Sequence, residues 1–162
     1  MHHITIRAIQ PADNFVLATI IRKSLEEFKA NKPGTVYFDP TTDNLSEVFT
    51  APGSKYFVVE ENGLILGGSG IYPTQNLPEG ICELVKLYLS HAVRGKGIGK
   101  LLLEKCFEAA KGLGYTKMYL ETMPELNIAV PLYEKMGFVY LNGPLGNSGH
   151  DGCDIWMMKD LT

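Results

Sequence analysis

The run Arg94-Gly95-Lys96-Gly97-Ile98-Gly99-Lys100 alternates three glycines with three cations and an isoleucine, between a β-rich stretch and an amphipathic helical one. Glycine lets backbone N–H groups approach a ligand closely, and the helix that opens here adds the positive end of its dipole. Arg94, Lys96 and Lys100 supply counter-charge, so the chemistry this segment offers is anion binding. A tight turn that needs glycine for its geometry alone is the plainer reading, although a turn does not require three interleaved cations. Neither familiar nucleotide loop fits. A phosphate-binding GxxxxGK[ST] loop needs glycine where Arg94 stands and serine or threonine where Leu101 stands. A dinucleotide fingerprint reads GxGxxG, whereas Gly95, Gly97 and Gly99 give GxGxG with no βαβ unit opening the chain.

The elements that must hold this turn can be read from periodicity. Ile4 to Ile9 alternates apolar and polar residues as a strand does, and Asp13 is then a candidate N-cap for a helix whose apolar positions are Leu17, Ile20, Ile21, Ser24, Leu25 and Phe28. Asn31 to Thr42 carries Pro33, Gly34 and Pro40 and reads as loop, with a short helix around Leu45 to Phe49. Lys55 to Glu60 and Leu64 to Tyr72 are β-rich runs joined through Asn62-Gly63, a strong hairpin signal. Ile81 to Leu89 is a further strand. The helix after the glycine turn has the apolar face Ile98, Leu102, Cys106, Ala109 and Leu113, and Gly112 and Gly114 close it. A strand from Thr116 to Glu121, a helix through Ala129, Leu132, Tyr133 and Met136, and strands near Phe138–Leu141 and Cys153–Lys159 complete the order. A meander followed by βαβ-like crossovers predicts an α/β (α+β) fold with a mixed sheet and helices packed on it.

The chain of 162 residues fits one domain, residues 1–162, with 45% hydrophobic and 20% charged residues. A formal net charge of -3 offers no broad attraction to nucleic acid or anionic lipid, so neither is an expected partner. The sequence has no apolar run of the roughly 18 residues needed to span a membrane, and Met1 to Arg7 lacks the pattern of a secretory signal, which gives a cytoplasmic expectation. Cys82, Cys106 and Cys153 are widely spaced and suit reduced thiols, and His2, His3, His91 and His150 show no metal-ligand spacing. No metal is expected.

Three motifs in order resemble the GCN5-related N-acetyltransferase (GNAT) family, in its bacterial small-molecule type. Arg94, Gly97 and Gly99 match the [RQ]xxGx[GA] loop, Cys82 to Leu89 is similar to the family's fourth strand, and Leu132-Tyr133-Glu134-Lys135-Met136-Gly137-Phe138 looks like its LYEKxGF motif. The tail from Gly149 to Met157 is similar to bacterial members, and the likeness runs over residues 4 to 160. The resemblance implies a mostly antiparallel central sheet of about six to seven strands with about four flanking helices. It implies acetyl-CoA as cosubstrate, with the diphosphate on the backbone amides from Arg94 through Gly95, Lys96, Gly97, Ile98 and Gly99 to Lys100. Pantetheine is implied to lie between splayed fourth and fifth strands, against Leu87, Tyr88 and Leu89. The family's cofactor-touching asparagine falls on Leu126, seven residues before Tyr133, with Asn127 beside it, and Pro131 in the same helix is unusual. The expected partner is a small-molecule amine acceptor, and dimerisation, common in the family, is allowed but not marked.

Acyl transfer from a thioester to an amine needs a neutral nucleophile, a stabilised oxyanion and a proton for the leaving thiolate. An alkylamine of pKa ~10.4 is mostly protonated at neutral pH, which gives a general base work to do. Strand alternation places Glu83 beside Val85, Leu87 and Leu89, a carboxylate on an apolar face whose burial raises its pKa, and it is the candidate base, directly or through a water. A salt bridge or a solvated strand end is the other reading. Tyr133, a phenol of pKa ~10, is the candidate acid toward the thiolate, against the alternative of a core aromatic on the face of Ala129, Leu132 and Met136. The acceptor pocket is expected from the variable segments Phe28 to Asp39, Tyr72 to Glu79 and Asn142 to Asp151, with His150 and Asp151 as polar candidates. The expected activity is direct acetyl transfer to a primary amine within a ternary complex; the alternative is a module that binds acetyl-CoA without catalysis.

Overall fold

The structure, a computed structural model, describes residues 4–124, 129–146 and 153–162. Strand β1 (Ile4–Ala8) leads through a 3-10 turn into α1 (Asn14–Glu27), and an irregular segment with the one-turn helix α2 (Leu45–Val48) follows. Then come β2 (Lys55–Glu61), β3 (Leu64–Tyr72), β4 (Ile81–Leu89), α3 (Ile98–Gly112), β5 (Lys117–Thr122), α4 (Ala129–Lys135), β6 (Val139–Tyr140) and β7 (Ile155–Asp160). The strands form one seven-stranded sheet in the order β1-β2-β3-β4-β5-β7-β6. Every neighbouring pair is antiparallel except β4 and β5. This is the mixed, mostly antiparallel sheet expected from the sequence.

Local signals explain most of the elements. Asn62 and Gly63 both adopt positive φ, 53° and 83°, as a two-residue hairpin turn between β2 and β3 requires. Beyond α3, Gly114 takes φ 93° and Tyr115 donates back to the carbonyl of Ala110, so the chain leaves the helix through a left-handed cap. Asp13 stands at the N-cap position of α1 but does not cap it. Its carboxylate instead accepts from Arg7, at 2.8 and 2.9 Å, and from the Gln10 N–H at 2.7 Å, because the guanidinium offers a stronger, bidentate partner.

Both faces of the sheet are covered. On one, α3 and α4 pack Leu102, Leu103, Cys106, Phe107 and Tyr133 against Leu66, Leu84 and Met118. On the other, α1 and α2 bring Leu17, Ile21, Leu25 and Leu45 onto Tyr56 and Val58. Among the described residues, no helix is long and apolar enough to cross a membrane.

Candidate active site

Strands β4 and β5 run side by side only briefly. Their parallel register covers Ile81–Lys117, Cys82–Met118 and Glu83–Tyr119 and then stops, although β4 continues to Leu89 and β5 to Thr122. The cause is a conflict of partners. β5 stays paired with β7 from Lys117 through Thr122, while β4 follows β3 past a bulge where Lys86 adopts a φ of 55°. The Tyr56 hydroxyl donates to the Lys86 carbonyl at 2.9 Å and pins that bulge. Beyond Glu83 the strands separate into a cleft that, counted to its open mouth, holds about 1100 Å³. Its walls are β4 from Glu83 to Leu89 and Leu120–Met123, with Ser24, Phe28, Arg94, Leu132 and Tyr133 around them.

The bulge also corrects the side-chain pattern. Strict alternation puts Glu83, Val85, Leu87 and Leu89 on one face, but the extra residue resets the phase. Leu84, Leu87 and Leu89 pack toward α3, whereas Val85 and Tyr88 pack on the opposite, α1 side. Glu83 therefore shares its side of the strand with Val85 and not with the two leucines.

At the closed end of the cleft, Glu83 is 4% exposed and accepts a hydrogen bond from the Thr74 hydroxyl. Burial pushes its carboxyl up to about 7; the Thr74 bond and the Lys86 charge restrain the rise, and Glu121 reinforces it. Tyr119 donates to Glu121 at 2.6 Å and accepts from the Leu145 N–H at 3.2 Å. Tyr133, 7% exposed, stands edge-on to Phe138 with ring centroids 5.8 Å apart, and burial holds its phenol well above the usual range. It is a protonated donor at neutral pH. Burial also pushes the Cys82 and Cys106 thiols up to about 12, which removes both as thiolate nucleophiles.

At the other end lies the glycine turn. Gly95 and Gly97 both have φ 78°, and a Cβ added at either would meet nothing within 4 Å, so glycine serves backbone conformation there and the space above is open. Gly99 differs: it is buried, and a Cβ would come 3.0 Å from Leu132 of α4. Its lack of a side chain lets α3 and α4 close on each other. The N–H groups of Gly95, Lys96, Gly97, Ile98, Gly99 and Lys100 have no acceptor among the described residues, the first helical bond being Leu101 to Gly97 at 3.2 Å. Consecutive unfilled donors at the positive end of a fifteen-residue helix form a cradle for an anion. Lys96 and Lys100 are exposed beside it, Lys100 lying 3.9 Å from Glu104.

Comparison with known proteins adds the family. Residues 19–138 match the Acetyltransferase (GNAT) family. A relative in Escherichia coli (strain K12), the uncharacterized N-acetyltransferase YjgM, is 39% identical over 158 residues, covering 96% of this chain and 94% of its own. The chain belongs to the GNAT acetyltransferase family. Solved structures agree on the fold. A GNAT-family acetyltransferase from Staphylococcus aureus Mu50 superposes with a TM-score of 0.87 at 21% identity, covering 99% of this chain and all of that one, 100%. YncA from Salmonella typhimurium, solved with its cofactor acetyl-CoA, gives 0.75 at 22% identity over 99% of this chain and 95% of its own. The protein is an N-acetyltransferase of this family.

The acetyltransferase fold brings most of the sequence-derived candidates onto one cleft. Glu83, Leu87, Tyr88, Leu89, Arg94, Gly99 and Tyr133 line it, and Gly95 to Ile98 with Lys100 form the turn beside it. Asn127 and Leu126, and His150 and Asp151, lie outside the described residues. Arg94 serves differently from a free counter-charge. Its guanidinium donates to the Leu89 carbonyl at 3.2 and 3.0 Å, to Ser24 at 3.1 Å and to Glu27, and stacks 4.8 Å from the Phe28 ring centroid. It ties the glycine turn to α1 and occupies the Leu89 carbonyl. Sequence reasoning did not single out Lys86, Glu121 or Tyr119, and reached Thr74 only within the segment Tyr72 to Glu79. Lys86 alone carried a signal: a lysine between Val85 and Leu87 in an apolar strand.

Proposed function

We propose that this enzyme transfers the acetyl group of acetyl-CoA to a primary amine of a small molecule or amino acid by direct attack within a ternary complex. The observation that carries the reading is the pairing of the two ends of one cleft: unfilled amide donors from Gly95 to Lys100, and a buried Glu83 facing the same space as Tyr133. The amides take the diphosphate, with Lys96 and Lys100 adding charge. The pantetheine arm then runs along the free side of β4 past Leu89, Tyr88 and Leu87 and brings the thioester toward Tyr133.

Glu83 accepts the amine's proton, directly or through a water. Its carboxyl, raised to about 7, is matched to that task near neutral pH. The amine nitrogen bonds to the acetyl carbonyl carbon, the carbon–sulfur bond breaks, and the leaving thiolate takes the Tyr133 proton. The buried phenol keeps that proton until a strong base appears beside it.

The test is a thiol-release assay with purified protein, acetyl-CoA and a panel of primary amines. Release of one thiol per acetylated amine is the expected result. Tight acetyl-CoA binding with no release across the panel would instead favour a binding module without catalysis.

A further inference from the structure

The cleft's described charged side chains are Glu83, Lys86, Arg94 and Glu121. Arg94 is engaged by Leu89, Ser24, Glu27 and Phe28. Lys86 is not. It lines the cleft half-buried, yet among the described residues no carboxylate stands within ion-pair distance of its ammonium and no hydrogen bond takes it up. Asp39 and Glu83 act on it only through space, and burial pulls its pKa below the ordinary lysine range. A half-buried cation without a direct partner is open to a ligand that supplies the counter-charge. Its backbone is held in place, because the left-handed bulge at Lys86 is pinned by Tyr56.

Glu83 and Lys86 are three residues apart and near enough to influence each other's charge. A molecule that meets both must carry opposite charges a few bonds apart. The carboxylates Glu83, Glu121 and Asp39 around the same region would repel a dianion, whereas a single carboxylate matches a single ammonium. We propose that the acceptor is a zwitterion of the amino-acid type, its carboxylate paired with Lys86 while its amine faces Glu83. This rests on the amine-acetylation reading above and narrows it. Lys86 thereby becomes the residue that separates amino acids from simple amines.

The experiment compares a panel of L-amino acids with their α-carboxamides, which keep the amine and side chain but lose the charge. The wild-type enzyme is expected to prefer the free acid of its best acceptor by roughly 10- to 100-fold in kcat/KM, the worth of a charge-assisted contact. Lys86→Met, which keeps the length of the stem, is expected to erase that preference with the KM for acetyl-CoA unchanged, and Lys86→Arg to restore part of it. Calorimetric titration of the CoA-loaded protein with the same acid and amide pairs reads the preference as affinity, independently of turnover. Carboxamides used and bound as well as the acids, or a Lys86→Met enzyme that keeps the wild-type preference, would overturn the proposal while leaving acetylation intact. A Lys86→Met variant whose pH profile shifts equally for acids and amides would reduce Lys86 to a charge that tunes Glu83, and would overturn it too. Acid-selective binding without thiol release would uphold the zwitterion site and strike the catalytic reading instead.

Discussion

On the proposed function, the two ends of the cleft recognise by different means. At the turn from Gly95 to Lys100 the donors are main-chain N–H groups, contiguous in sequence, and the nearby lysines are exposed. At the closed end the working groups are side chains drawn from β4, β5 and α4, and Glu83 and Tyr133 are almost fully buried. A backbone site depends on conformation and tolerates changes of side-chain chemistry. A buried side-chain site tolerates little change of chemistry, because each group's proton affinity is set by what surrounds it.

That contrast is most easily broken at Tyr133. Tyr133→Phe keeps the ring against Phe138 and removes only the proton, so kcat is expected to fall by roughly 10²–10⁴ while the KM for acetyl-CoA holds. Unchanged turnover would mark Tyr133 as a core aromatic.

Glu83→Gln is expected to lower kcat by about 10²-fold and to flatten the pH profile. If Glu83 is the base, the wild-type rate is expected to rise with pH as Glu83 ionises through about 7, and the variant is expected to lack that limb. Stability moves oppositely. Native Glu83 keeps its proton up to about 7, whereas the unfolded chain releases it near 4.5, so the native state holds more protons in that window and stability declines as pH rises across it. The Gln variant escapes this cost, on the order of 3 kcal/mol, and should melt higher than the wild type at pH 8 with the gap closing below about pH 4.5. A gap of the same size at both pH values would deny that burial raises the pKa.

Gly97→Val probes the other end. Its φ of 78° disfavours a side chain although the space is open, so a stability loss of roughly 1–2 kcal/mol is expected together with a rise of about 10-fold in the KM for acetyl-CoA. Lys96→Ala should do least. An exposed lysine beside a backbone cradle contributes screened charge, so the KM should rise by less than about threefold, and by less still at high salt. An effect of Lys96→Ala larger than that of Gly97→Val would reverse the comparison and make the turn a side-chain site.

Much of this arrangement is legible in the amino-acid sequence. The hairpin at Asn62-Gly63, the strand Ile81–Leu89 and the helix opening at Ile98 follow from short-range backbone preferences and periodicity. Gly95 and Gly97 are readable for the same reason, since a positive φ is a local demand. Glu83 stands out as a carboxylate in an apolar strand, and in the fold it is buried. Its facing is not legible, because alternation presumes an unbroken strand and the bulge at Lys86 resets the phase.

The sequence by itself therefore determined which elements form, in what order, and where the chain offers amide donors to an anion; these are matters of neighbours along the chain. Only the tertiary structure decided that β5 keeps β7 while β4 follows β3, and that divergence opens the cleft. It also decided that Arg94 is spent on Leu89, Ser24, Glu27 and Phe28 while Lys86 is left facing the cleft. Both outcomes turn on which distant groups arrive beside a residue, and charge and hydrogen bonding act through space over a few ångströms regardless of separation in sequence.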